Sequence, residues 1–108
     1  MSSGFDQREE GFETQFKLEA DQKFRAAARR DKMLGRWAAE KMGLAGDEIE
    51  KYVIEVVKSD LEEPGDEDVF RKVLSDLEKK GCPETPEELR KVMDDFHHEA
   101  CRDISRGG

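Results

Sequence analysis

No proline occurs before Pro64, and apolar residues recur at intervals of three and four instead of alternating. That combination leaves helix as the regular structure open to the first sixty residues, because nothing removes a backbone donor and the period matches a helical face. From Phe24 to Met42 the chain is rich in alanine, arginine and lysine, all strong helix formers. Gly43 is placed to end this helix in the left-handed conformation, with Leu44 behind it for the usual apolar contact. The mid-helix Gly35 points to close backbone packing, and Trp37, with Leu34, Ala38 and Met42, faces a core.

Three further helices are legible from their starts and stripes. Asp47 is placed to cap the second, with Glu50 reaching back, and its stripe is Ile49, Tyr52, Val53, Val56 and Val57. Glu62-Glu63-Pro64-Gly65 stops it. Asp66 is placed to cap the third, which carries Val69, Phe70, Val73, Leu74 and Leu77 and ends at Gly81. For the fourth, Thr85 caps, Pro86 takes the first helical position and Glu88 completes a capping box. Leu89, Val92, Met93, Phe96, Ala100 and Ile104 then share a face. The expected architecture is all-α: a four-helix bundle over residues 19–108, preceded by a mobile amino-terminal segment over residues 1–18.

Residues 1–18 read differently. They contain Gly4 and Gly11, and Phe5, Phe12 and Phe16 fall within about 40° of one another at ~100° per residue, with Glu10 and Glu13 pointing elsewhere. A narrow aromatic stripe on a polar, glycine-interrupted segment is marginal as an isolated helix. Three phenylalanines in twelve residues exceed the aromatic content of an ordinary disordered tail. The stripe suits an arm that binds a partner helix-in-groove, or an extension of the first helix laid on its own bundle.

Several function classes are excluded or disfavoured. A net charge of −8, from 27 acidic and 19 basic side chains, argues against a general nucleic-acid binder. No apolar run approaches the roughly 20 residues that span a bilayer, so direct membrane insertion is not expected. Met1-Ser2-Ser3-Gly4 lacks the basic and apolar blocks of a signal peptide, and two cysteines without a disulfide pattern suit a reducing cytosol. A cytoplasmic protein is expected.

Catalytic and metal chemistry find little support. His97 and His98 are adjacent and so roughly 100° apart on a helix. His97 and Cys101 have the four-residue spacing of paired ligands, but zinc needs about two more and only the isolated Cys82 is at hand. They read as a surface histidine beside a half-buried cysteine. Counting a calcium loop from Asp60 puts glycine at its sixth position, yet Pro64 and Arg71 occupy its fifth and twelfth. That stretch reads as a solvated turn. No phosphate-binding glycine loop occurs, and Ser59, Ser75 and Ser105 have no histidine placed in sequence to activate them. No enzyme, cofactor or metal site is expected.

Residues 22–42 carry a net +5 through Arg25, Arg29, Arg30, Lys32, Arg36 and their neighbours. A basic helix in an acidic protein either packs against its own acidic loops or docks an anion. Arg25, Arg29 and Arg30, with Trp37, form the candidate patch for a small anionic ligand such as a nucleotide.

The segments Phe5–Phe16, Ala28–Leu44 and Asp60–Leu77 together resemble the ATPase inhibitor subunit zeta family of alphaproteobacterial F-type ATP synthases. The carrying motifs are Ala-Arg-Arg at 28–30, Leu-Gly-x-Trp-Ala-Ala-Glu-Lys at 34–41 and Glu-Glu-Pro-Gly-Asp at 62–66. The chain departs from that pattern at Gln22, Asp31 and Arg36. The resemblance implies a four-helix bundle whose amino-terminal segment enters an interface between catalytic and non-catalytic subunits of the soluble head. There it blocks rotation in the hydrolytic direction. The inhibitory positions it implies are Phe5, Asp6, Arg8, Glu9, Phe12, Glu13 and Phe16. The protein would then be a cytoplasmic regulatory subunit held at the membrane through the ATP synthase. The alternative is a bundle of the same fold that binds an anionic ligand at the Arg25 patch and inhibits weakly or not at all.

Overall fold

The computed structural model describes residues 16–62 and 66–107, which form four helices and, among the described residues, no strand. They are α1 (Ala20–Lys41), α2 (Asp47–Glu62), α3 (Glu67–Lys79) and α4 (Pro86–Ser105). The all-α bundle expected from the periodicity is the one observed. The mobility expected of the amino-terminal segment falls, for residues 1–15, outside the described residues.

Cross-helix pairs fix the directions. Arg36 meets Glu50, Gly35 approaches Val53, and Arg30 reaches Asp60, so α2 runs antiparallel to α1. Tyr52 with Asp76 and Glu55 with Lys72 make α3 antiparallel to α2. Lys41 with Glu84 and Arg29 with Asp103 make α4 antiparallel to α1. α1 is thus the central helix and packs on each of the other three.

Two apolar clusters occupy the interior. The larger joins Leu34, Ala38 and Ala39 of α1 to Tyr52 and Val56, to Val69, Val73 and Leu77, and to Leu89 and Met93. Trp37 packs against it, as its spacing requires. The smaller joins Leu18 and Ala26 to Ala100, Cys101 and Ile104, with Phe16 and Met33 at its edge.

Helix ends show where local signals prevail and where they do not. At α4, Glu88 N–H donates to Thr85 Oγ1 at 3.1 Å and Thr85 N–H to Glu88 Oε1 at 2.8 Å, which completes the expected box around Pro86. After α1, Gly43 takes φ 81° while Leu44 N–H donates to Ala39 O at 2.9 Å and Gly43 N–H to Glu40 O at 3.1 Å. That is the Schellman arrangement the glycine suggested.

Three ends differ from expectation. α1 begins at Ala20, four residues before Phe24, because Glu19 N–H donates to Gln22 Oε1 at 2.9 Å and closes the first turn. Asp47 is the first residue of α2 and not its cap; it still favours the positive end of the helix dipole. Asp66 occupies the cap position of α3 without bonding the helix, since its carboxylate accepts instead from Arg90 Nη1 at 2.9 Å.

Candidate functional site

Of the implied inhibitory positions, Phe5, Asp6, Arg8, Glu9, Phe12 and Glu13 lie outside the described residues. Phe16 is described, and it packs on the smaller cluster with its ring centroid 5.3 Å from that of His98. Lys17 takes the left-handed conformation, φ 52°, and Leu18 follows it into the same cluster as a buried residue. Phe16 and Leu18 are therefore the point at which the amino-terminal segment is fastened to α1 and α4.

The same packing alters the reading of α4. His97 and Cys101, expected at and near the surface, are both buried, with Cys101 Sγ 3.7 Å from His97 Nε2. Leu18 and Ala26 cover the face on which Cys101 lies, so the apolar stripe of α4 is wider than its Leu89–Ile104 spacing indicated. Among the described residues no group of three or more potential ligands is gathered around a metal position.

The candidate anion patch divides. Arg25 is exposed on α1, and Arg29 one turn on pairs through Nε with Asp103 Oδ2 at 3.3 Å. Trp37 has Lys41 Nζ 5.8 Å from its ring centroid. Arg30, by contrast, is interior, with 4% of its surface exposed. The four side chains do not share one surface.

Arg30 is instead the centre of a buried charge cluster that sequence reading missed. Its Nε donates to Asp31 Oδ1 at 3.0 Å, and its Nη2 lies 3.0 Å from the same oxygen and 3.4 Å from Asp60 Oδ2. Nη1 stands 4.0 Å from Asp66 Oδ2. Arg90 of α4 completes the arrangement, with Nη1 on Asp66 and Nη2 on Glu67 Oε2 at 3.1 Å, while its guanidinium lies 4.4 Å from the Phe70 ring centroid. The cluster joins all four helices. Asp31 is fully buried, and its Oδ2 accepts no hydrogen bond. Burial above all, then the neighbouring Asp60 carboxylate, pushes its carboxyl up to about 8, against the opposing pull of Arg30.

A second polar network ties α2 to α3. Tyr52 O–H donates to Asp76 Oδ2 at 2.9 Å, and Lys72 Nζ donates to both Asp76 and Glu55 at 3.0 Å. Lys72 also lies 5.3 Å from the Tyr52 ring centroid. Burial, followed by the bond to Asp76, raises the Tyr52 phenol far above its ordinary range.

No helix among the described residues is long and apolar enough to cross a membrane. The bundle resembles a protein solved by solution NMR, with 42% sequence identity, a TM-score of 0.66, and coverage of 79% of this chain and 96% of that one. No curated protein matches. The family described as ATPase inhibitor subunit zeta matches residues 1–103, a span that takes in the aromatic amino-terminal stripe and nearly all of the bundle. By that match, over nearly its whole length, the chain belongs to the ATPase inhibitor subunit zeta family.

Proposed function

We propose that this protein is a non-enzymatic regulatory subunit that inhibits ATP hydrolysis by the F-type ATP synthase. Its amino-terminal segment is the inhibitory element and the bundle is the anchor. The family match carries this reading, because it begins at residue 1 and so includes the segment with Phe5, Phe12 and Phe16. The partners are catalytic and non-catalytic subunits of the soluble head, which hold the protein at the membrane without a span of its own. Phe5 and Phe12 supply apolar anchors, while Asp6, Arg8, Glu9 and Glu13 set register against charged subunit surfaces. A segment that orders on binding gives up part of its contact energy to that ordering, so it disengages readily when rotation reverses. Fastening at Phe16 and Leu18 supports the division of labour, since it ties the segment to the two helices that face each other across the smaller cluster.

The test is hydrolysis by ATP synthase depleted of its own inhibitor, with the intact chain or a chain lacking residues 1–15 added back. Ending the deletion before Phe16 spares the smaller cluster. Inhibition by the intact chain alone is the expected result. Equal inhibition by both would move the inhibitory surface into the bundle, and inhibition by neither would refute the reading.

A further inference from the structure

Asp31 Oδ1 and Asp60 Oδ2 meet the same guanidinium nitrogen, Arg30 Nη2, at 3.0 and 3.4 Å, so two carboxylates crowd one donor. Two ionised carboxylates are both acceptors and cannot bond unless one carries a proton. Arg30 holds only Oδ1 of Asp31, which leaves Oδ2 as a buried oxygen with no donor. A proton on Oδ2 turns that orphan acceptor into the donor the pair lacks. The choice of residue follows from exposure: the Asp31 side chain is 1% exposed and that of Asp60 16%, so the less solvated carboxyl keeps the proton.

We infer that Asp31 is a neutral carboxylic acid donating to Asp60, and that this shared proton is a pH-sensitive clasp holding α1 to the end of α2 and the start of α3. The charge count around it supports the assignment. With Asp31 neutral, Arg30 pairs with Asp60 and Arg90 with Asp66, one cation to each anion. Ionised, Asp31 adds a third carboxylate, and the most deeply buried one, to two guanidinium groups. The charged groups that face it are Arg30 on α1, Asp60 on α2, Asp66 at the start of α3 and, through Asp66, Arg90 on α4; Glu67 lies farther out in solvent. The carboxyl, raised to about 8 chiefly by burial, places the transition at the alkaline edge of neutrality.

Loss of the proton puts like charges side by side on Asp31 and Asp60, and the clasp loosens where α2 ends and α3 begins. Carbon-13 NMR of the side-chain carboxyls in the intact chain, titrated from pH 4 to pH 10, reads the proton directly. The Asp31 carbon is expected to titrate near pH 8, and amide exchange at the last turn of α2 and first turn of α3 is expected to accelerate across the same range. In Asp31→Asn, which keeps the shape and the donor but has no proton to lose, that acceleration should be absent. Asp60→Asn offers an amide donor to Asp31 and is expected to lower the Asp31 midpoint by about 1–2 pH units. An Asp31 carbon already ionised at pH 6 overturns the proposal, as does an exchange profile in Asp31→Asn that parallels that of the unsubstituted chain.

Discussion

Gly35 and Val53 meet almost backbone to backbone: a Cβ on Gly35 would lie 3.0 Å from Val53 Cα, 3.3 Å from its Cγ2 and 3.5 Å from Val56 Cβ. The glycine costs roughly 1 kcal/mol in helix propensity relative to alanine. In return, α1 and α2 come closer than side chains would permit. Gly35→Ala regains the propensity but presses on the backbone of α2, which yields only if the helix moves. We expect a net destabilisation of about 1–2 kcal/mol by urea unfolding, and a larger loss for Gly35→Leu. An alanine variant as stable as the parent would show that α2 shifts freely.

The adjacent arginines of α1 should separate sharply. Arg29 pairs with Asp103 in a partly exposed contact, so Arg29→Met is expected to change stability by less than about 1 kcal/mol. Arg30 is buried among carboxylates from three segments, and removing its charge leaves Asp60 without its cation. Arg30→Met is expected to cost about 3–5 kcal/mol. Thermal unfolding of the two variants at one pH makes the comparison, and equal midpoints would deny the cluster its structural role.

The same cluster sets the pH dependence of stability. The Asp31 carboxyl is raised from an unfolded value near 4 to about 8, so the unfolded chain holds fewer protons between those limits. Its contribution is full below about pH 4, declines as pH rises through this window, and is gone above about pH 8. The difference in unfolding free energy between the parent and Asp31→Asn should therefore fall with pH, approaching about 1.4 kcal/mol per pH unit in mid-window. A difference independent of pH would contradict it.

Tyr52 is the single tyrosine, which makes its ionisation easy to follow by near-ultraviolet absorbance. Burial, the bond to Asp76 and the negative charges of Asp76 and Glu55 all hold the phenol neutral. Its stabilisation is complete below the ordinary tyrosine value of about 10 and is lost only as pH rises beyond it. Tyrosinate should accordingly appear together with alkaline unfolding and not before. Tyr52→Phe removes one hydrogen bond while Lys72 continues to satisfy Asp76, so a loss of about 1 kcal/mol is expected.

The parts of the fold legible in sequence are those fixed within one turn. Thr85 and Glu88 sit three residues apart and satisfy each other around Pro86, and Gly43 closes α1 with bonds that span only three and five residues. Asp66 has the same local credentials as a cap, yet Arg90 claims its carboxylate from 24 residues away. Arg30 and Asp31 read in sequence as one more basic and one acidic residue on a charged helix. Their burial depends on Asp60 and Asp66 arriving from α2 and α3, which no local pattern announces. His97 and Cys101 were misplaced for a like reason, since the residues that help cover α4 come from the other end of the chain, at Phe16 and Leu18. The four-residue spacing of Arg30, Leu34 and Ala38 does put Arg30 on the core face of α1.

Leu18 and Phe12 should separate anchoring from inhibition. Leu18 is buried against Ala26, Ala100, Cys101 and Ile104, so Leu18→Ala leaves a hole where the amino-terminal segment is fastened. We expect a stability loss of about 2–4 kcal/mol. Inhibition measured well below the unfolding midpoint should move far less, because the aromatic anchors are untouched. Phe12→Ala should do the reverse and weaken inhibition of ATP hydrolysis by about 2–4 kcal/mol, the range of a buried aromatic anchor, or roughly 30- to 1,000-fold in the inhibition constant. Inhibition constants and unfolding curves on both variants give the crossed comparison. If Leu18→Ala abolishes inhibition in a folded chain, the fastening point is itself part of the inhibitory surface; if Phe12→Ala leaves inhibition unchanged, the aromatic stripe has no part in it.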